Sequence, residues 1–237
     1  MHALDCLRLT HYTCVPRYPI GYILPTQQEQ MPVEETANMH LMLSAIAQQL
    51  NPAKPSVDFI DDKYWPLLRI WADYLVSTTF DPQNQLCTDD FMGKSAHNSN
   101  LAIKGIVALG AYSQLMTYKG DAAAATKYMT IAKNYTKYWM EHSISADKSH
   151  YKLAYDMDDS SWSQKYNLVW DKILKLELVP QAVFDTEVKF YKSKFEKYGL
   201  RLDNRKDLTK TDVRFPPLLF LFLLACSSSS SMRSSLR

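Results

Sequence analysis

Four short segments of this chain concentrate carboxylates, amides and basic groups: MPVEETANM at 31–39, CTDDFMGKSAHNSN at 87–100, YDMDDSSW at 155–162 and LDNRKDLTKTD at 202–212. Paired acids such as Glu34 with Glu35, and Asp89 with Asp90, can take up and return protons. The amides of Asn98 and Asn100, the imidazole of His97 and the N–H groups at helix starts can hold a carboxylate or a developing oxyanion. Each segment also has a plainer use. Thr36 or Asn38 could cap a first helix, Asn98, Ser99 or Asn100 a third, and Ser160 or Ser161 a fifth. Asp89 and Asp90 together exceed what one cap needs, and His97 follows as a base or hydrogen-bond donor. No HExxH and no regularly spaced His/Asp set is present, so neither a metal nor a cofactor is expected. GxSxG, Walker and dinucleotide-binding patterns are absent, and a chain with 6 glycines offers no phosphate cradle.

The elements that position these segments are helices. Apolar periodicity predicts six, over 34–50, 62–77, 100–118, 121–142, 163–176 and 180–198. Gly120 ends the third and Asp121 caps the fourth, which makes a helical hairpin; Pro180 opens the sixth and Gly199 stops it. The third helix carries Leu101, Ile103, Ile106, Val107, Leu109 and Ala111 nearly all round and is expected to be buried. The fourth sets Tyr128, Ile131, Ala132, Tyr135 and Trp139 against Lys127, Lys133 and Lys137. The sixth sets Val183, Phe184, Val188, Tyr191 and Phe195 against Lys189, Lys192, Lys194 and Glu196. Inner and outer helices thus alternate, and the fold class is all-α, a toroid of (α/α) hairpins. Only 150–155 reads as a short strand or extended loop. Three of the polar segments open odd helices and the fourth follows the sixth, so all four are expected on one rim of the ring.

The 237 residues are 46% hydrophobic and 22% charged with a net charge of +2, which suits one large globular domain and gives little attraction for nucleic acid. The 15 Tyr and 5 Trp are notable, since such rings line sugar and amino-acid clefts as well as cores. Cys6, Cys14, Cys87 and Cys226 form no CxxC or disulfide framework. The tripeptide beginning at Asn134 matches a glycosylation sequon inside a helix and carries little weight. No signal peptide opens the chain. Residues 1–28 are read as an irregular segment, 29–212 as the helical domain, and 213–237 as a low-complexity tail outside the fold. The tail's apolar stretch, 218–226, falls short of the ~20 residues that span a bilayer, so no membrane partner is expected.

The stretches EQMPVEETANM, DDFMGKSAHNSNLAIKGI, AYDMDDSSWSQKYNLVWDKIL and YGLRLDNRKDLTKTD together resemble the helical-hairpin domain of fungal-type glutaminase A, in order, over 29–212. The resemblance implies a six-hairpin (α/α) domain related in shape to glycosidase toroids, preceded by β-rich domains in a longer, secreted parent chain. It also implies hydrolysis of the side-chain amide of glutamine to glutamate and ammonia. The chain departs from the family at both ends: the upstream domains are missing and the last motif breaks at Val213. Six helices of such a ring are expected to leave inner apolar faces open to water and to be poorly stable, with activity of the chain alone in doubt.

Amide hydrolysis needs an activated water, donors for the oxyanion and an acid for the departing ammonia. Asp90 or Asp89 with Glu35 or Glu34 are the candidate acid–base pair. His97, Asn98 and Asn100 are placed as substrate or oxyanion contacts, Arg205 or Lys210 as holders of the substrate carboxylate, and Asp159, Trp162 and Asp212 as further binding residues. A glycoside hydrolase, with Trp162 or Trp170 as a sugar platform, and a non-catalytic binding domain are the alternatives.

Overall fold

The computed structural model describes residues 30–197 and 199–208, so Lys210, Asp212, the N-terminal segment and the tail lie outside the described residues. Six α-helices occur among them: α1 (Pro32–Leu50), α2 (Trp65–Thr78), α3 (Ser99–Lys119), α4 (Ala122–Ser143), α5 (Val169–Ile173) and α6 (Gln181–Lys194). Extended chain appears among the described residues only as isolated bridges, two of which, Asn98 with Ala154 and Ile144 with Tyr151, pin the stretch predicted as extended. The all-α reading holds.

The centre of the packing is α3. Every residue from Ser99 to Ser113 is buried, as are Leu115 and Met116. α1, α2, α4 and the segment running from Tyr166 into α5 pack around it. The exposure expected of an unsealed ring therefore does not fall on this helix; α1 is the helix with an open apolar face, at Met42, Ile46 and Leu50. The α3–α4 hairpin forms as the sequence predicts. Gly120 adopts the left-handed φ of 88° that stops α3, and the Asp121 carboxylate accepts from the Ala124 N–H at 2.9 Å. α4 buries Ala125, Tyr128, Ala132, Thr136, Trp139 and Ser143 at three- and four-residue spacing. Its Trp139 is wholly buried, donates to the Ser99 carbonyl at 2.7 Å and stacks on Tyr151.

Local corrections arise where tertiary bonds override periodicity. Thr36 and Asn38 cap nothing, because α1 begins at Pro32 behind an N-cap, Met31, whose side chain makes no capping bond. Ser160 and Ser161 cap nothing either: both turn back onto Asp158. The fifth helix shrinks to five residues. Its predicted first turn is instead tied across to 202–203, with the Gln164 N–H on the Leu202 carbonyl at 2.7 Å and Ser163 bridged to Asp203. Its predicted end is unwound where the Asp171 carboxylate captures the Leu178 N–H at 2.9 Å and Lys175 and Glu177 turn left-handed. α6 stops at Lys194 rather than 198; Gly199, at φ 110°, serves a later turn against Glu196. Phe195 is consequently exposed instead of inward-facing, and Glu187 takes a buried place on α6 that periodicity assigned to apolar residues.

α3 admits no extra volume at Gly105, where an added Cβ would lie 2.2 Å from Thr79 Oγ1 and 2.7 Å from its Cγ2. Gly105→Ala is expected to destabilise by about 1–3 kcal/mol through overpacking. Thr79→Ala in the same chain is expected to return part of that loss, read from urea unfolding midpoints. A Gly105→Ala midpoint equal to wild type contradicts the tight contact.

Candidate functional site

Three of the four polar segments meet, in a buried cluster at the start of α1 and α3; 155–162 does not join them. Glu34, on the first turn of α1, accepts with Oε1 from both the Lys104 ammonium of α3 and the Thr88 hydroxyl. Glu34 and Lys104 are almost fully buried, at 3% and 4% exposure. Asp89 stands immediately before a single 3₁₀ turn, Asp90–Met92, which is closed by the Met92 N–H on the Asp89 carbonyl at 2.8 Å. The loop carrying it is anchored to α1 where Gln85 Oε1 accepts from the Val33 N–H at 3.0 Å. Tyr166 opens the 3₁₀ turn before α5, and its ring packs with Met92 and Leu202. Asp203 closes the cluster, with Oδ2 receiving Arg205 Nε at 3.0 Å and Nη2 at 2.6 Å.

The electrostatics of this cluster are set by burial. Burial raises the Asp89 carboxyl to about 7; the charges of Glu34 and Asp203 add to the rise, while the Tyr166 hydroxyl and Arg205 oppose it. Such a group can change protonation near neutral pH. The Cys87 thiol is pushed up by burial and then by Asp89 and Glu34, which keeps it protonated and a poor nucleophile. Lys165 is lowered to about 8 by burial, against the pull of Glu187, Asp203 and Asp89. Its Nζ donates to the Tyr151 and Ser163 carbonyls and to the Ser163 hydroxyl, each at 2.9 Å, so it acts as a strut. Three buried atoms of the cluster, Glu34 Oε2, Asp89 Oδ1 and the Tyr166 hydroxyl, are left without a well-formed hydrogen bond, the Tyr166 hydroxyl lying near enough to Asp89 to hold its carboxyl down. Leaving buried polar atoms unmet costs stability, and such atoms collect where a ligand is bound.

Of the residues singled out from sequence, Glu34, Asp89 and Arg205 enter this cluster. Glu35, about 100° further round α1, is half-buried, its carboxyl raised by burial and by Glu34. Asp90 is exposed and its carboxylate accepts from the Phe91 N–H at 2.7 Å, a turn-capping bond. His97 pairs at the surface with Asp81, Nδ1 to Oδ1 at 2.6 Å, and that hydrogen bond raises its pKa. It bonds to neither Asp89 nor Glu34 because its left-handed backbone, φ 56°, turns the chain there. Asn98 takes the capping role, its Oδ1 accepting from the Asn100 and Leu101 N–H groups at 2.9 and 3.0 Å. Asn100 is buried and bonded to Asn167, whose side-chain nitrogen donates to its carbonyl at 3.0 Å. Asp159 is exposed, receiving the Ala146 N–H at 3.0 Å.

Trp162 lies edge-on to Phe190 and forms one wall of an open cleft of about 250 Å³ with Ser193, Lys194, Phe195, Glu196, Arg201 and Asn204. The segment 155–162 therefore supplies no member of the carboxylate cluster; the residues just after it do. Lys104, Thr88, Tyr166 and Asp203 had not been singled out. Lys104 carries a readable signal, since one charge on a helix apolar all round must find a buried counter-charge. Tyr166 carries none, being one tyrosine among 15.

Compared with known families, the chain matches the Glutaminase A six helical-hairpin domain over residues 16–234. The chain belongs to this family. Within it, the chain is similar to glutaminase A of Aspergillus oryzae, 38% identical over 205 residues. It is also similar to a probable glutaminase of Arthroderma benhamiae, 33% identical over 196 residues. The alignments take in 86% and 71% of this chain, but it spans only 28% and 22% of those relatives' lengths. Among the described residues no group of three or more His, Cys, Asp or Glu side chains is arranged to hold a metal ion. No helix among them is long and apolar enough to cross a membrane.

Proposed function

We propose that this domain carries an amide-hydrolysing site acting on glutamine, with Asp89 as the proton-transfer group and Glu34 as its partner carboxylate. The observation that carries the reading is the Asp89 carboxyl, 5% exposed and raised to about 7 beside Glu34. A group titrating near neutrality is suited to deprotonate water and then protonate the leaving nitrogen. Glu34, clamped by Lys104 and Thr88, holds its geometry while Asp89 changes charge. Arg205 keeps a partly exposed guanidinium beside Asp203 and is placed to meet the substrate's own carboxylate. The names of the relatives in Aspergillus oryzae and Arthroderma benhamiae support the same substrate. The glycosidase reading has less support, because among the described residues the cleft walled by Trp162 has one carboxylate in its lining, Glu196, which is paired with Arg201, and glycoside hydrolysis needs two.

The test is ammonia release from glutamine by the full-length protein that carries this chain. Glu34→Gln is expected to lower turnover at least about tenfold by disturbing the pair, while Asp90→Asn, a change at an exposed turn, leaves it near wild type. The reverse ranking sinks the assignment of Asp89 and Glu34.

A further inference from the structure

Resting on the glutaminase reading, we propose that Tyr166 is a catalytic residue of this site, its hydroxyl donating to the carbonyl oxygen of the substrate's carboxamide as that oxygen becomes negative. The unmet hydrogen-bonding capacity of the cluster is two carboxylate oxygens, Glu34 Oε2 and Asp89 Oδ1, and one phenolic hydroxyl, that of Tyr166. A primary carboxamide has the complementary set: two N–H donors and one carbonyl acceptor. Bound across the three, it would give its N–H groups to the carboxylates and its oxygen to Tyr166. An ester offers no N–H to either carboxylate, and an N-substituted amide offers one fewer.

Tyr166 is built to hold a fixed direction. The backbone just before it is locked by the Lys165 N–H on the Tyr191 hydroxyl at 2.6 Å and by the three bonds of Lys165 Nζ. The backbone just after it is locked by Asn167 against Asn100. The ring is 7% exposed and wedged among Phe91, Met92 and Leu202. Burial, then the charge of Asp89, keeps its hydroxyl protonated far above the ordinary tyrosine range, so it remains a donor wherever Asp89 can act as a base. Pre-aimed donors in a water-poor site are what stabilise a tetrahedral oxyanion.

Water's oxygen bonds to the carboxamide carbon, one of its protons passes to the Asp89 carboxylate, and the carbonyl electron pair moves onto the oxygen facing Tyr166. Collapse re-forms the carbonyl and breaks the C–N bond. The proton on Asp89 goes to the departing nitrogen, and ammonia and a carboxylic acid leave.

Tyr166→Phe in the full-length protein removes the donor and keeps the ring. The expected result is a fall in kcat of about 10²–10³-fold with KM within a few-fold of wild type, a melting temperature no lower than wild type, and a pH midpoint moved upward, because the Tyr166 hydroxyl opposes the rise of the Asp89 carboxyl. Wild-type kcat in Tyr166→Phe, with Asp89→Asn inactive, overturns the role of Tyr166 and leaves the glutaminase reading standing. Full turnover in Asp89→Asn, or none from glutamine in the folded wild type, overturns that reading and this one with it. Should the Phe variant not fold, 2,3-difluorotyrosine at 166 retains ring and hydroxyl while altering acidity. A changed kcat at constant KM then supports the donor role, and an unchanged kcat removes it.

Discussion

Asp89→Asn in the full-length protein is expected to lower glutamine turnover by about 10²–10⁴-fold, the range that a positioned acid–base group contributes. The carboxamide of asparagine occupies the same space beside Glu34 and Tyr166 but cannot take water's proton. In the wild type, kcat/KM is expected to rise with pH through about 7, as the Asp89 carboxyl ionises. Stability runs the opposite way. The folded pKa lies above the ordinary 3.8, so folding favours the protonated form. That favourable contribution is complete below the ordinary value and is lost as pH rises through about 7. Asn carries no such proton, so Asp89→Asn is expected to be more stable than wild type above pH ~7 and to show a flatter dependence on pH. Melting temperatures of both proteins at pH 5 and pH 8 provide the check. A wild type that gains stability over that interval, with the variant showing the same gain, contradicts the raised carboxyl.

The second large effect belongs to the ion pair beneath it. Lys104→Met strips the counter-charge from Glu34, which has nowhere to reach water. Breaking one side of such a pair costs about 3–5 kcal/mol, more than an exposed pair contributes in total, because the surviving charge stays desolvated. Lys104→Met with Glu34→Gln is expected to recover most of that loss, since a neutral amide tolerates the same burial far better. Urea unfolding of the single and double variants at pH 8 reads both the loss and its recovery. A single variant as stable as wild type at pH 8 shows that the pair is not holding α1 to α3.

Both expectations depend on residues whose partners are distant in the chain, and this is where sequence reading reaches its limit. α3 was legible because its apolar run extends all the way round, and a helix with that pattern has only a buried solution. The α3–α4 hairpin was legible because Gly120 and Asp121 each have one dominant use at a helix boundary. Antiparallel helix order also led to the meeting of three of the four polar segments, at Glu34, Asp89 and Arg205, while 155–162 stays outside. Between adjacent acids, however, composition cannot choose. Glu34 and Glu35 differ only by a rotation about α1, and Asp89 and Asp90 by one step into a 3₁₀ turn, yet one member of each pair is buried and the other is not.

The sequence by itself determined the all-helical class, the central buried helix and the end of the bundle at which polar groups gather, because helix periodicity and capping are short-range physics acting within a few residues. Tertiary structure alone decided that 163–165 would bond to 202–203 instead of starting a helix, that Lys104 would neutralise Glu34 70 positions away, and that His97 would turn outward to Asp81. It also decided that Tyr166 would bring an unmet hydroxyl to two carboxylates. Those outcomes depend on which desolvated groups find partners once the chain is packed, and that balance is struck between segments far apart in sequence.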